Sequence, residues 1–131
     1  MSSFSDYTEN LVLTYLFTNG SVTRPTAWYV GLFTAAPSDT GGGTEVSGSG
    51  YVRKVTGTIT VSGTGTTATN SAAIEFAAAS GGNWGTVTHA AIFDAETSGN
   101  MLAWAQLTTA RTINDGDVFR VPASSLTVTL T

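Results

Sequence analysis

The stretch "VTHAAIFDAETSGNMLAWAQL", residues 87–107, sets two apolar runs on either side of a polar, glycine-containing connection. Runs of this kind with period-two alternation read as the two arms of an antiparallel hairpin. Val87, His89, Ala91 and Phe93 fall on one face of the first arm, and Thr88, Ala90 and Ile92 on the other. "DAETSGN" makes the turn and "MLAWAQL" the return arm. Downstream, "DGDVFRVPASSLTVTL", residues 115–130, places Val118, Arg120 and Pro122 before a last alternating strand with Leu126, Val128 and Leu130 on one face. Upstream, residues 66–74 give weaker Thr-rich alternation and residues 51–60 a further strand region. "AWYVGLFT", residues 27–34, is apolar at both parities, which predicts a central strand buried on both faces.

Ahead of the strands, residues 5–19 predict the single helix. Ser5 or Asp6 caps its first turn, and Asp6 and Glu9 suit the positive end of the helix dipole. Tyr7, Leu11 and Tyr15, with Val12 and Leu16 alongside, lie on one face at helical spacing, and Asn19-Gly20 is expected to close the helix in a left-handed conformation. The expected fold is mainly β: an antiparallel β-sandwich, jelly-roll-like, with one N-terminal α-helix. Residues 1–131 form one domain in this reading, with an unpaired arm at 1–5, the sandwich over 27–131 and a long loop at 35–50.

Composition narrows the function. Only 11% of residues are charged, against 41% hydrophobic, so Thr, Ser, Asn and Gly must cover much of the surface. Such a surface offers little repulsion between copies and tolerates crowding in an assembly. A net charge of -4 with five scattered basic residues argues against a phosphate-binding face, so no nucleic-acid partner is expected. The apolar runs fall well short of the roughly 20 residues of a membrane-spanning helix, and no membrane partner is expected. Without cysteine there is neither a disulfide framework nor a thiolate metal site. The N-terminal apolar cluster lacks a preceding basic residue, so it is not read as an export signal.

A search for chemistry returns little. His89, the sole histidine, sits on a strand among apolar neighbours and reads as structural. "INDGD", residues 113–117, presents Asp115 and Asp117 but lacks the spacing of a calcium loop and reads as a β-turn. "GGGTEVSGSG" has glycines but no Lys and no following helix, so it is no phosphate loop. Asp94 with Glu96, Asp115 with Asp117, or Glu45 are the carboxylates from which a glycan hydrolase would have to draw a pair. Trp28 and Trp104 lie in apolar strands, whereas Trp84 follows "SGGN" in a turn and is the aromatic candidate for stacking on a sugar. No catalytic residue, metal or cofactor is assigned.

Two segments together, "SSFSDYTENLVLTYLFTNGSVTRPTAWYVGLFTAAPSDTGGGTEVSGSGYVRK" and "INDGDVFRVPASSLTVTL", resemble a family of small tailed-bacteriophage structural proteins. Its members are often labelled tail fiber proteins, and the family is similar to capsid cement or decoration proteins. The resemblance implies a non-enzymatic virion component made in the host cytoplasm. The favoured expectation is a cement protein on the capsid surface, bridging copies of the major capsid protein as a homo-oligomer, with a trimer favoured. The alternative is a tail or fiber-associated protein touching host carbohydrate through Trp84. Asp39, Thr44, Glu45 and Val46 of the long loop, Phe4 of the arm, and Trp84 are the candidate interface residues, with loop deletion over 41–49 as the test.

Overall fold

The hairpin expected at residues 87–107 forms and is longer than the pattern suggests, because the Thr-rich continuation of its second arm still finds strand partners. In chain order, residues 2–130, which this computed structural model describes, form β1 (Ser2–Phe4), α1 (Asp6–Phe17), β2 (Tyr29–Ala35), β3 (Thr44–Glu45), β4 (Lys54–Val55), β5 (Ile59–Val61), β6 (Thr67–Asn70), β7 (Ile74–Glu75), β8 (Gly85–Phe93), β9 (Met101–Ile113), β10 (Arg120–Val121) and β11 (Thr127–Thr129). The main sheet runs β1-β9-β8-β2-β3, with β4 also on β2, and all of its pairs are antiparallel. Two smaller antiparallel sheets pair β10 with β7 and order β11-β6-β5.

Strand β2 is central, as its unbroken apolar run predicts, and each parity enters a different core. Val30 and Leu32 pack with Val87, Ile74, Phe76, Trp84 and Phe119, between the main sheet and the smaller ones. Phe33 packs on the opposite face with Ala91, Phe93 and Met101, with Trp104 at its margin. Gly31 shares this second face, where a Cβ would stand 2.8 Å from a Glu45 carboxylate oxygen and 3.0 Å from the Phe93 ring. The mainly antiparallel β fold with an N-terminal helix is therefore the one expected from the sequence.

Three local expectations are corrected. Val87 does not share a face with His89, Ala91 and Phe93: the β8–β9 register shifts between Val87 and His89, which turns Val87 into the first core. Between these pairs β9 advances five residues, from Arg111 to Gln106, against two on β8, an irregularity that bends the ladder at this point. The segment expected as a free arm is paired, with Ser2, Ser3 and Phe4 opposite Ala105, Trp104 and Ala103 of β9; Met1 lies outside the described residues. The pairing satisfies backbone groups that an edge strand would otherwise leave open. Finally, α1 ends at Thr18, which takes an extended conformation while its N–H bonds to the Thr14 carbonyl. Gly20 instead allows close passage of the chain, since a Cβ there would lie 3.1 Å from the Thr14 methyl.

Candidate interaction surface

The long loop is not a free reach into solvent; it closes the open side of β2. Thr44 and Glu45 form β3 against Ala35 and Phe33, and the Val46 N–H donates to the Leu32 carbonyl. The next donor on that edge, the Leu32 N–H, falls in the gap between β3 and β4 and donates to the Tyr51 hydroxyl at 2.9 Å. Tyr51 in turn donates to Glu45 Oε2 at 2.9 Å. A side-chain hydroxyl thus stands in for the missing ladder partner, as a partly buried amide requires. Gly43 makes the reversal feasible: φ is +73°, and a Cβ would fall 2.7 Å from the Pro37 nitrogen.

Arg53 locks the returning strand. Its Nε and Nη2 donate to Glu45 Oε2 and Oε1 at 2.8 and 2.9 Å, while Nη1 donates to the carbonyls of Ala95 and Ser98 at 3.1 and 2.7 Å. The guanidinium lies 3.4 Å over the Phe93 ring centroid. A planar fork that pairs bidentately and stacks at once is a task for Arg rather than Lys. The cluster ties the long loop to the β8–β9 connection. Burial, followed by the charge of the Glu45 carboxylate, pushes the Tyr51 phenol above its ordinary pKa, so it remains a proton donor to Glu45.

The candidate interface residues separate into two groups. Asp39 and Phe4 flank the start of α1: the Asp39 carbonyl accepts from the Asp6 N–H, and its carboxylate accepts from Trp104 Nε1 at 2.9 Å. Phe4 is half-buried opposite Ala103. Around Tyr51 are Glu45, Val46 and Trp84, with Thr44 exposed beside them. Val46 and Trp84 are core residues, not surface contacts, being 6% and 5% exposed. The Trp84 indole donates to the Ser49 carbonyl, and its ring meets Tyr51 edge-on at 5.3 Å between centroids. Trp84 therefore has no open face for a sugar. Tyr51 and Arg53, which hold this region together, were not singled out from sequence; only their place in "GYVRK" beside an acidic loop residue signalled them.

Asp94, Asp115 and Asp117 serve backbone geometry. Asp94 accepts from the backbone and side-chain amides of Asn100 and closes the β8–β9 connection. Asp117 accepts from the Asn114 N–H and Asp115 from the Gly81 N–H, consistent with a turn at "INDGD". His89 shares a 2.8 Å hydrogen bond with the Thr88 hydroxyl and tilts against Trp104. Among the described residues, no cluster of three or more acidic or imidazole ligands has the geometry of a metal site.

The most prominent surface feature is α1. Ser5 caps it through the Thr8 N–H and also donates to the Met101 carbonyl, and the Thr8 hydroxyl donates to the Leu102 carbonyl at 2.8 Å. None of the helix residues is fully buried. Its root is fixed on β9 while its C-terminal half leaves apolar side chains in water.

The sequence matches the family model described as Gp80, podophage GP4 fiber I protein gp80, over residues 3–129. A search of curated proteins returned no match.

Proposed function

Because the chain belongs to the podophage GP4 fiber I protein gp80 family, we propose that it is a non-catalytic building block of a phage fiber. The match at residues 3–129 carries this reading, because it takes in the helix, the main sheet and both small sheets instead of one motif. The family description supports the tail and fiber alternative over a cement protein on the capsid surface. Local chemistry supports a structural role: Asp94, Asp115, Asp117 and Glu45 all make hydrogen bonds that hold strands and turns. The low charge of the chain suits close packing beside other virion proteins.

The test is co-sedimentation of the purified chain with separated heads and tails from a phage that lacks it. Saturable binding to tails, without binding to heads, is the expected result. Binding to heads alone overturns the fiber reading and restores the bridging of capsid subunits.

A further inference from the structure

At two places in the sequence a glycine directly follows an asparagine or aspartate, Asn19-Gly20 and Asp115-Gly116. With no side chain on the second residue, its backbone nitrogen can swing against the preceding side-chain carbonyl carbon, a motion that a Cβ obstructs. The fold treats the two pairs differently. The Gly116 N–H donates to the Ala79 carbonyl at 2.8 Å, and the Asp115 carboxylate accepts from the Gly81 N–H at 3.1 Å, so both halves of that approach are tied down. Asn19 and Gly20 are exposed just past α1, and the Asn19 side chain bonds to none of the described residues. The Gly20 N–H donates to the Thr18 hydroxyl at 3.0 Å, an exposed local bond that water can replace. From there to Trp28 the chain makes no backbone hydrogen bond among the described residues.

Every other asparagine is restrained. Asn10 lies inside α1, where the helical ladder engages the amide that follows it. Asn70 is fully buried and donates to the Ala72 and Pro122 carbonyls. Asn83 accepts from the Asp115 N–H, and the Trp84 N–H next to it donates to the Ile113 carbonyl. Asn100 donates to the Asp94 carboxylate. Asn114 precedes Asp115, whose N–H is the one that Asn83 holds.

We infer that Asn19 is a modification site, at which the folded chain deamidates without an enzyme. The Gly20 nitrogen gives its proton to solvent base and bonds to Asn19 Cγ; the Cγ–Nδ2 bond breaks and the side-chain nitrogen leaves as ammonia. One water then opens the resulting five-membered succinimide. Opening at Cγ leaves an aspartate, whereas opening at the main-chain carbonyl carbon routes the backbone through the side chain as isoaspartate. In sum one water enters and one ammonia leaves, with no oxidant or reductant. Either product makes the chain one unit more negative than its -4. The new carboxylate arrives at the negative end of the α1 dipole, within three residues of the exposed Leu16 and Phe17, in a stretch with no charged residue between Glu9 and Arg24. Ageing therefore weakens the last turn of α1 and puts charge beside its apolar side chains, whatever the place of the protein in the virion.

Intact mass and peptide mapping of the full chain, stored at mildly alkaline pH, test this. A gain of about 1 Da at residue 19, with ammonia released in equal amount and both aspartyl and isoaspartyl products, is expected. Conversion there should run at least about tenfold faster than at any other asparagine, and Gly20→Ala should slow it by a similar factor. The chain unfolded in urea supplies the structural comparison: Asp115-Gly116 is expected to form isoaspartate through the same ring only after unfolding, while Asn19 reacts in both states. An Asn19 that stays intact in the folded chain overturns the inference. So does a folded chain in which Asn114 or Asp115 reacts as fast as Asn19, since the restraints described above would then decide nothing.

Discussion

Tyr51 shows how one side chain can complete a sheet. Its ring packs in the first core with Phe76 and Trp84, while its hydroxyl accepts from the Leu32 amide and donates to Glu45. In the folded chain the phenol is held protonated above its ordinary range, chiefly by burial. In the unfolded chain it ionises near pH 10. Above that pH the unfolded state releases a proton that the folded state keeps, so the stability contributed by Tyr51 is full below about pH 10 and declines as pH rises. Tyr51→Phe is expected to cost about 1–3 kcal/mol at neutral pH by stranding the Leu32 amide. Its deficit relative to the parent chain should narrow between pH 9 and 11, as followed by urea unfolding; a deficit that stays constant would remove the phenol from this role. Neither Tyr51 nor Arg53 was legible as part of a site. Beyond Glu45, their partners stand 19 residues away at Leu32 and more than 40 away at Ala95 and Ser98, distances that no local pattern encodes.

Among the elements, α1 reverses the usual weighting of polar and apolar residues. Ser5 is 2% exposed and joins the helix to β9, whereas Leu16 extends into solvent. In dilute solution Ser5→Ala is expected to lower stability by about 1 kcal/mol through loss of the cap, and further for the bond to Met101. Leu16→Ala should change the stability of the single copy by no more than about 0.5 kcal/mol. Thermal unfolding of both variants checks this, and a larger loss for Leu16→Ala would place that side chain in the chain's own core. The existence of α1 was readable from Ser5, the early acidic residues and the helical period. What its apolar face packs against was not, because periodicity identifies an apolar face without naming the surface that covers it. Strand β8 carries the same lesson: its alternation is correct from His89 onward and fails at Val87, where a register shift intervenes.

In the whole molecule the long loop acts as a closing strap rather than an outreach. Deleting residues 41–49 removes the buried Val46, the Glu45 carboxylate that Arg53 and Tyr51 bind, and the Ser49 carbonyl that takes the Trp84 indole proton. The expected cost is about 3 kcal/mol or more, from lost apolar burial and stranded donors. A Gly-Ser insertion after Gly42 should be nearly silent, because Gly42 is exposed and a Cβ there would meet nothing within 4 Å. Denaturant midpoints of the two variants distinguish a strap from a dispensable loop; equal midpoints would contradict the strap. Loop deletion therefore tests folding before it tests binding, and exposed substitutions are the cleaner probes of partners.

The sequence by itself determined the antiparallel hairpin, the doubly buried β2, the capped N-terminal helix and the turn at "INDGD", because each rests on neighbours within a few residues. Tertiary structure alone decided that residues 2–4 pair with β9, that Val46 and Trp84 are core, and that Glu45, Tyr51 and Arg53 form one cluster. It also left Leu13, Leu16 and Phe17 of α1 exposed. Periodicity records which side of an element avoids water, while the partner that keeps water away is chosen by contacts between segments distant in the chain.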